Sequence, residues 1–334
     1  MKRLCVAGSV ICLLMLTGCA STEIKDMNAY NKVTLRETDK MPSKASLSGI
    51  KPRIVVFELA DKKGSAAGDQ VADAIIKELN DTKNVTIVDR TLAEKLGQEI
   101  TLAETKGRSG YTGQDVADFA ISGKIVSALA GIQYSAPSSW TDDKGQAHVN
   151  PATCTTSGKI SYSIKVSQIP SLTTVNTFDA EASSANTQDA QFFLYCPAIT
   201  PAAAKGILSQ AADAAVRKIH TALKNQFAPS GYILERRIKD KDNIFKISIG
   251  RPSGANEGLK IQILTITTDT NALTGVTSTE QVKLADGVIS NQIGDSFSYV
   301  IVSDAAAADK IRLGDIVKIQ FENSFGDKVS NMLH

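Results

Sequence analysis

Cysteine is the residue type in this chain whose position points most directly to chemistry. Of the five cysteines, Cys19 ends the run Leu16-Thr17-Gly18-Cys19, which has the form of a lipobox. Lys2 and Arg3 give the N-terminal region the positive charge that is typical of a signal peptide. The apolar run that follows is too short for a membrane-spanning helix, which needs about 20 residues, but has the length of a signal-peptide core. The pattern therefore predicts an exported chain whose signal peptide is residues 1–18 and whose Cys19 thiol carries a lipid that includes palmitate.

The residues that follow Cys19 indicate where such a lipoprotein would work. Ala20 and Ser21 come next, and neither is the aspartate that favours retention in the inner membrane. We therefore expect the outer membrane, with the lipid as the membrane contact and the folded part facing the periplasm. In that oxidising compartment Cys154 and Cys196 are expected to pair as a disulfide, and two independent buried thiols are the alternative.

The side chains that usually carry catalysis or bind metal show no suitable spacing. His148, His220 and His334 are far apart in the sequence and form no metal-ligand pattern, and His148 lies in a polar segment after Asp142-Asp143-Lys144-Gly145, which is typical of a tight turn. The chain contains no nucleophile motif and no phosphate-binding loop motif. A formal net charge of +2 is far from the strongly basic balance of nucleic-acid-binding domains. The sequence thus predicts a protein that is not an enzyme, without catalytic residues, metal, cofactor or nucleic-acid partner.

Four aromatic residues form the clearest candidate for a recognition surface. Trp140, the only tryptophan, lies in a polar segment, and Phe192, Phe193 and Tyr195 lie in a second segment beside Cys196. A disulfide between the two segments would bring these rings together as an exposed interaction patch. The alternative is that Phe192 and Tyr195 pack beneath their loop and anchor it.

The hydrophobic pattern divides the rest of the chain into a tether and two domains. Residues 19–50 are polar and without a strong period, which indicates a lipidated flexible tether. Residues 51–228 alternate short apolar runs, such as Arg53–Leu59, with helical stripes, of which the longest spans Pro201–Gln226. Residues 229–334 contain short strand patterns separated by glycine turns, which predicts a small β-domain.

The order of these elements, taken with the lipobox, resembles the curli assembly and secretion lipoprotein (CsgG) family. The stretches that carry the resemblance are Ile54–Leu59, Val71–Leu79, Val85–Arg90, Ile121–Ala128 and Tyr162–Ile169, together with the long helix that ends before Phe227. The C-terminal part resembles the small β-domain of a flagellar assembly protein through Ile247-Ser248-Ile249-Gly250 and Ile311–Val317. The resemblance implies an α/β (α+β) CsgG-like domain, with a mixed sheet and packed helices, followed by a small all-β barrel-like domain.

The resemblance also implies work in cell-envelope assembly. We expect a periplasm-facing lipoprotein that acts as a protein-interaction or scaffold component of secretion, flagellar or cell-wall machinery, with envelope proteins as partners. One alternative is an oligomeric outer-membrane secretion channel of the curli type, and another is an activator of a peptidoglycan synthase. A channel would need membrane hairpins from Gly131–Lys159 and Ser183–Pro201, but Pro137, Pro197 and a disulfide between the segments argue against them. A homo-oligomer is compatible with each of these interpretations.

Overall fold

A computed structural model describes residues 22–39, 41–42, 51–62, 64–82, 84–89, 97–98, 117–169, 171–190, 195–270, 272–275 and 277–322. These residues form a five-stranded sheet, a seven-stranded sheet and a two-stranded hairpin. The predicted lipidation site Cys19 and two members of the predicted aromatic patch, Phe192 and Phe193, lie outside the described residues.

The strands and helices follow one another along the chain with these bounds. The strands are β1 Asn31–Val33, β2 Arg53–Val56, β3 Thr86–Ile87, β4 Phe119–Ser135, β5 Ser138–Thr141, β6 Ala147–Asn150, β7 Thr153–Gln168, β8 Thr173–Asp189, β9 Ser230–Lys239, β10 Asp242–Ile247, β11 Lys260–Thr270, β12 Thr277–Ile293, β13 Ser298–Val302 and β14 Ile316–Gln320. The helices are α1 Ala67–Thr82, α2 Pro201–Gln226 and α3 Ala305–Ala308, and short 3-10 turns lie at Met27–Ala29 and Arg251–Ser253.

The five-stranded sheet has the order β3-β2-β4-β7-β8, in which β3, β2 and β4 run parallel and β4, β7 and β8 run antiparallel. Alternate residues of β7, among them Ile160, Tyr162 and Ile164, are buried on one face of this sheet. Helices α1 and α2 contribute Ile75 and Leu223 to the same hydrophobic core. The core of this part of the chain therefore lies between one face of the sheet and the two helices.

The long helix α2 is fixed at its start by a cap and by a close approach to β7. Pro201 occupies its first turn, and the Thr200 hydroxyl accepts a hydrogen bond from the Ala203 backbone N–H at 3.2 Å. Gly158 of β7 permits the close approach, because a Cβ at this position would stand 2.9 Å from the backbone oxygen of Ile207. The N-terminal half of β7 and the beginning of α2 are therefore held together.

The seven-stranded sheet closes into a six-stranded barrel, with β1 added beside β9. The barrel strands follow the order β9-β10-β13-β12-β11-β14, and β14 pairs again with β9 through Ile316 and Tyr232. Buried side chains such as Phe245 and Ile263 fill its interior. Beyond the barrel, β11 and β12 continue as a long hairpin toward Leu273.

The described residues are mostly β, with 48% strand, 21% helix and a closed six-stranded barrel, so the predicted α/β CsgG-like fold with packed helices is wrong. The sequence pattern underestimates the strand content because several long strands have no buried face along much of their length. In β8, most residues from Thr173 to Asp189 are exposed. A strand that is exposed on both faces shows no apolar alternation, which is the signal that predicts a half-buried strand.

Residues 22–39 lie along the barrel, within the range that the sequence predicts to be a flexible tether. Ile24 is buried, and its backbone N–H donates to the Asn291 side chain at 2.9 Å. Strand β1 pairs with β9, and the Thr38 N–H donates to the Leu313 carbonyl at 2.9 Å. The structure therefore differs from the prediction in this segment. Single apolar residues such as Ile24 are buried against the barrel and hold the segment there. Because they do not recur at a regular spacing, they give no signal of secondary structure in the sequence.

Candidate functional site

Strands β4 and β7 form the longest ladder of the first sheet. They pair from Phe119↔Gln168, near β2, to Ser135↔Thr153 at the far end. At about 3.3 Å per residue, the 17 residues of β4 span roughly 55 Å. The end at Ser135 and Thr153 is the distal end of the sheet. The chain that leaves β4 at this point forms the β5–β6 hairpin before it returns into β7, so the hairpin is joined directly to the distal end.

A disulfide ties a second segment to the distal end. Cys154, near the start of β7, is bonded to Cys196, with 5.7 Å between the two Cα atoms. The Cys196 sulfur also lies 3.6 Å from the Gln133 carbonyl oxygen of β4. The structure thus contains the disulfide that the sequence predicts, and it holds residues 195–200, which lead into α2, against β4 and β7.

The β5–β6 hairpin presents a stacked pair of aromatic rings. Trp140 lies opposite His148 in the strand register, and the two ring centroids are 4.4 Å apart with an angle of 18° between the planes. Trp140 is nevertheless 53% exposed, and Val149 beside its partner is also exposed. Because cross-strand aromatic pairs stabilise hairpins, this stack gives an exposed tryptophan a fixed orientation.

Asp142 organises the turn of this hairpin. Its Oδ1 accepts hydrogen bonds from the backbone N–H groups of Gln146 at 2.8 Å and Lys144 at 2.9 Å, and its Oδ2 lies 3.1 Å from Nε2 of His148. These hydrogen bonds, with that of Gln146 the strongest influence, hold the pKa of the Asp142 carboxyl below its ordinary value. The carboxylate therefore stabilises the turn at pH values above the ordinary pKa, and this contribution is lost as the pH falls through the lowered pKa. Gly145, with φ of +79°, completes the turn.

Replacing Asp142 by alanine is expected to disorder the hairpin and leave the rest of the fold intact, because two backbone N–H groups and the His148 ring lose their acceptor. Trp140 is the only tryptophan, so its fluorescence anisotropy reports on this hairpin alone. We expect the anisotropy to fall and the melting temperature to stay unchanged. Asp143→Ala, one residue along the exposed turn, is the matched control. Equal anisotropy in the two variants would contradict the role of Asp142.

The structure places two of the four predicted patch residues at this end of the sheet. Trp140 lies in the hairpin, and Tyr195 is exposed beside the disulfide-bonded Cys196. The other two members of the patch lie outside the described residues. His148, which the sequence indicates only as part of a polar segment, is the stacking partner of Trp140. The tight turn at residues 142–145 is the part of this hairpin that the sequence pattern indicates.

Metal ligands and membrane-spanning helices would define two other kinds of site. Within the ranges that the structure describes, no three His, Cys, Asp or Glu side chains are grouped so that they could hold a metal ion. His220 lies on α2, with its Nδ1 2.9 Å from the Arg217 carbonyl oxygen. Of the helices described, none is both long enough and apolar enough to cross a membrane.

Comparisons with known proteins find distant structural neighbours. No family model and no curated protein matches the chain. The crystal structure of a candidate lipoprotein from Caulobacter crescentus CB15 has a sequence that is 12% identical to this chain. Its TM-score is 0.28, and the match covers 55% of this chain and 93% of that chain. PelC of Paraburkholderia phytofirmans, solved as a dodecamer, is 10% identical, with a TM-score of 0.23 over 56% of this chain and 91% of that chain. A variant of PelC with one substitution is also 10% identical to this chain. Its TM-score is 0.22, and the match covers 55% of this chain and 92% of that chain. At these TM-scores the matches carry no argument, and they do not support the resemblance to the CsgG family.

Proposed function

We propose that this protein is a lipid-anchored envelope lipoprotein that acts as a protein-interaction or scaffold component of cell-envelope assembly, and that it contacts its partner through the distal end. The observation that carries this proposal is the exposed Trp140, which is stacked on His148 at the distal end of the sheet. The disulfide between Cys154 and Cys196 lies at the same end. Tryptophan is enriched where proteins bind one another, and buried tryptophans dominate the binding energy of many interfaces.

The β5–β6 hairpin also offers unpaired strand edges to a partner. Among the described residues it is a sheet of two strands, with no third strand beside either of them. A two-stranded hairpin is only marginally stable in water, and its free backbone groups can pair with a strand of another protein. A strand added here would meet Trp140 on one face and Val149 on the other, since the two residues lie on opposite faces of the pleat.

The disulfide supports this proposal by fixing the surface in advance. The Cys154–Cys196 bond holds Tyr195 beside the base of the hairpin. A surface that is already ordered loses less conformational entropy when a partner binds. Preorganisation of this kind suits a scaffold that presents one surface to one partner.

The membrane anchor in this proposal rests on the sequence. The lipobox supports a lipid on Cys19, and Ala20 and Ser21 support the outer membrane and its periplasmic face. The described fold begins close to this position, because the Thr22 hydroxyl donates to the Glu257 carboxylate at 2.7 Å. Three residues of extended chain span at most about 11 Å, so the barrel would sit near the membrane surface.

Replacing Trp140 by alanine is expected to weaken partner binding by about tenfold or more, because a tryptophan at the centre of an interface contributes much of the binding energy. The two larger sheets should persist, since this ring is 53% exposed and belongs to neither of their hydrophobic cores. Proteins bound to the lipidated chain can be cross-linked in intact cells, recovered from solubilised membranes and quantified by mass spectrometry.

The control for this experiment is Leu273→Ala, at the exposed tip of the β11–β12 hairpin. This variant removes a large apolar side chain from another hairpin and should retain the partner. If Trp140→Ala recovers the same proteins in the same amounts as Leu273→Ala, the distal end is not the recognition surface.

A further inference from the structure

A basic pocket lies on the barrel, where the segment after β1 meets the turn that follows α3. It has a volume of about 610 Å³. Its walls include Leu35 and Arg36 from the N-terminal segment, Arg236 from β9, and Lys310 and Arg312 from the turn. Cations from three separate parts of the chain therefore meet in one concavity.

Cations outnumber carboxylates at this pocket, even when Asp39 and the buried Asp315, which accepts the Arg312 backbone N–H at 2.7 Å, are counted. Four of its described lining residues are Arg or Lys, and Asp309 is the only acidic residue among them. The Asp309 side chain meets Arg236 at 2.6 Å but is 72% exposed. Asp39, which pairs with Arg312 at 3.0 Å, is 73% exposed. Because both carboxylates are largely exposed, each can turn into solvent when an incoming anion takes its place at the guanidinium group.

Arg236 is built into the wall of the pocket. This residue is only 9% exposed, and its guanidinium donates to Oδ1 of Asn243 from Nε at 3.1 Å and from Nη2 at 2.6 Å. The guanidinium carbon also lies 5.7 Å from the centroid of the Phe245 ring. These contacts orient the planar group before any ligand arrives.

The other cations complete the pocket in two ways. Arg312 is held like Arg236, since its Nη2 donates to the Thr265 hydroxyl at 2.8 Å. Arg36 and Lys310 are exposed at the rim. The pocket therefore combines two oriented guanidinium groups with two exposed positive charges.

We propose that this pocket binds the phosphate group of a phosphorylated ligand. A guanidinium group offers a planar set of donors that matches the spacing of phosphate oxygens, and oriented arginines lose little entropy when they bind them. Leu35 and Leu284 form an apolar wall beside the cations, which suits the carbon skeleton of an organic phosphate. A lipid headgroup and a soluble phosphate ester present the same group to these arginines.

The test titrates inorganic phosphate into residues 20–334, a chain that includes every described residue, by isothermal titration calorimetry. The double variant Arg36→Gln, Lys310→Gln changes only exposed positions and should leave the fold intact. We expect it to bind phosphate about tenfold or more weakly, because charge-assisted hydrogen bonds are lost.

The matched control is Arg217→Gln, Lys218→Gln, which removes the same charge from exposed positions of α2 and should leave phosphate binding unchanged. Absence of saturable phosphate binding by the unsubstituted chain, or equal weakening in the two double variants, would overturn the proposal.

Two organic phosphates distinguish the sources of the phosphate group. Tighter binding of a short-chain phosphatidylglycerol than of glycerol phosphate supports a lipid headgroup as the ligand. Equal or tighter binding of glycerol phosphate supports a soluble ester. In both cases the double variant at Arg36 and Lys310 should lose the binding, and its retention would contradict the proposed site.

Discussion

Replacing Cys154 by serine is expected to lower the free energy of unfolding by about 3–4 kcal/mol, because the disulfide closes a loop between residues separated by 42 positions. The effect arises mainly in the unfolded chain, which gains conformations when the loop is no longer closed. Chemical denaturation of the oxidised protein and of the variant, followed by circular dichroism, measures the difference.

Reduction of the unsubstituted protein provides the control for this prediction. In reducing buffer its stability should fall to that of Cys154→Ser, and the reductant should leave the variant unchanged. Without the bond, the segment that carries Tyr195 should also become less ordered, because the disulfide holds this segment against β7. A variant as stable as the oxidised protein would show that the bond does not constrain the fold.

Replacing Cys19 by serine is expected to move the protein from the membrane fraction to the soluble fraction, since a serine hydroxyl cannot carry a thioether-linked lipid. Each buried CH₂ of an acyl chain contributes about 0.8 kcal/mol to membrane affinity, so loss of the lipid should release nearly all of the protein. Fractionation of cells followed by immunoblotting measures the distribution.

Cys12→Ser makes the same substitution within the predicted signal peptide and serves as the control. Metabolic labelling with a palmitate analogue should mark this variant and the unsubstituted protein but not Cys19→Ser. Labelled Cys19→Ser that stays with the membrane would place the lipid elsewhere and remove the basis for the predicted anchor.

Elements with one buried face could be predicted from the sequence. In β7, the apolar residues Ile160, Tyr162 and Ile164 alternate with polar ones, and the structure buries the apolar set. The long helix was predicted at Pro201–Gln226, the bounds that the structure shows, because its apolar stripe follows the helical period and proline fits its first turn.

Elements held by contacts between distant residues could not be predicted in the same way. The N-terminal segment is fixed by pairs such as Ile24 and Asn291, which are 267 positions apart in the sequence. The β5–β6 hairpin depends on the stack of Trp140 on His148, a single pair between short exposed strands. Such contacts leave no period in the sequence, so the tight turn of this hairpin could be recognised while its strands could not.

The claim that the distal end contacts another envelope protein is tested most directly by placing a photo-cross-linking amino acid at the position of Val149 in intact cells, because this exposed position lies beside His148 and its replacement leaves Trp140 in place. We expect an adduct between this protein and a different envelope protein, which does not form when the same probe replaces Leu273. Absence of an adduct at the Val149 position, or an adduct with a second copy of this chain alone, would contradict the proposed scaffold function.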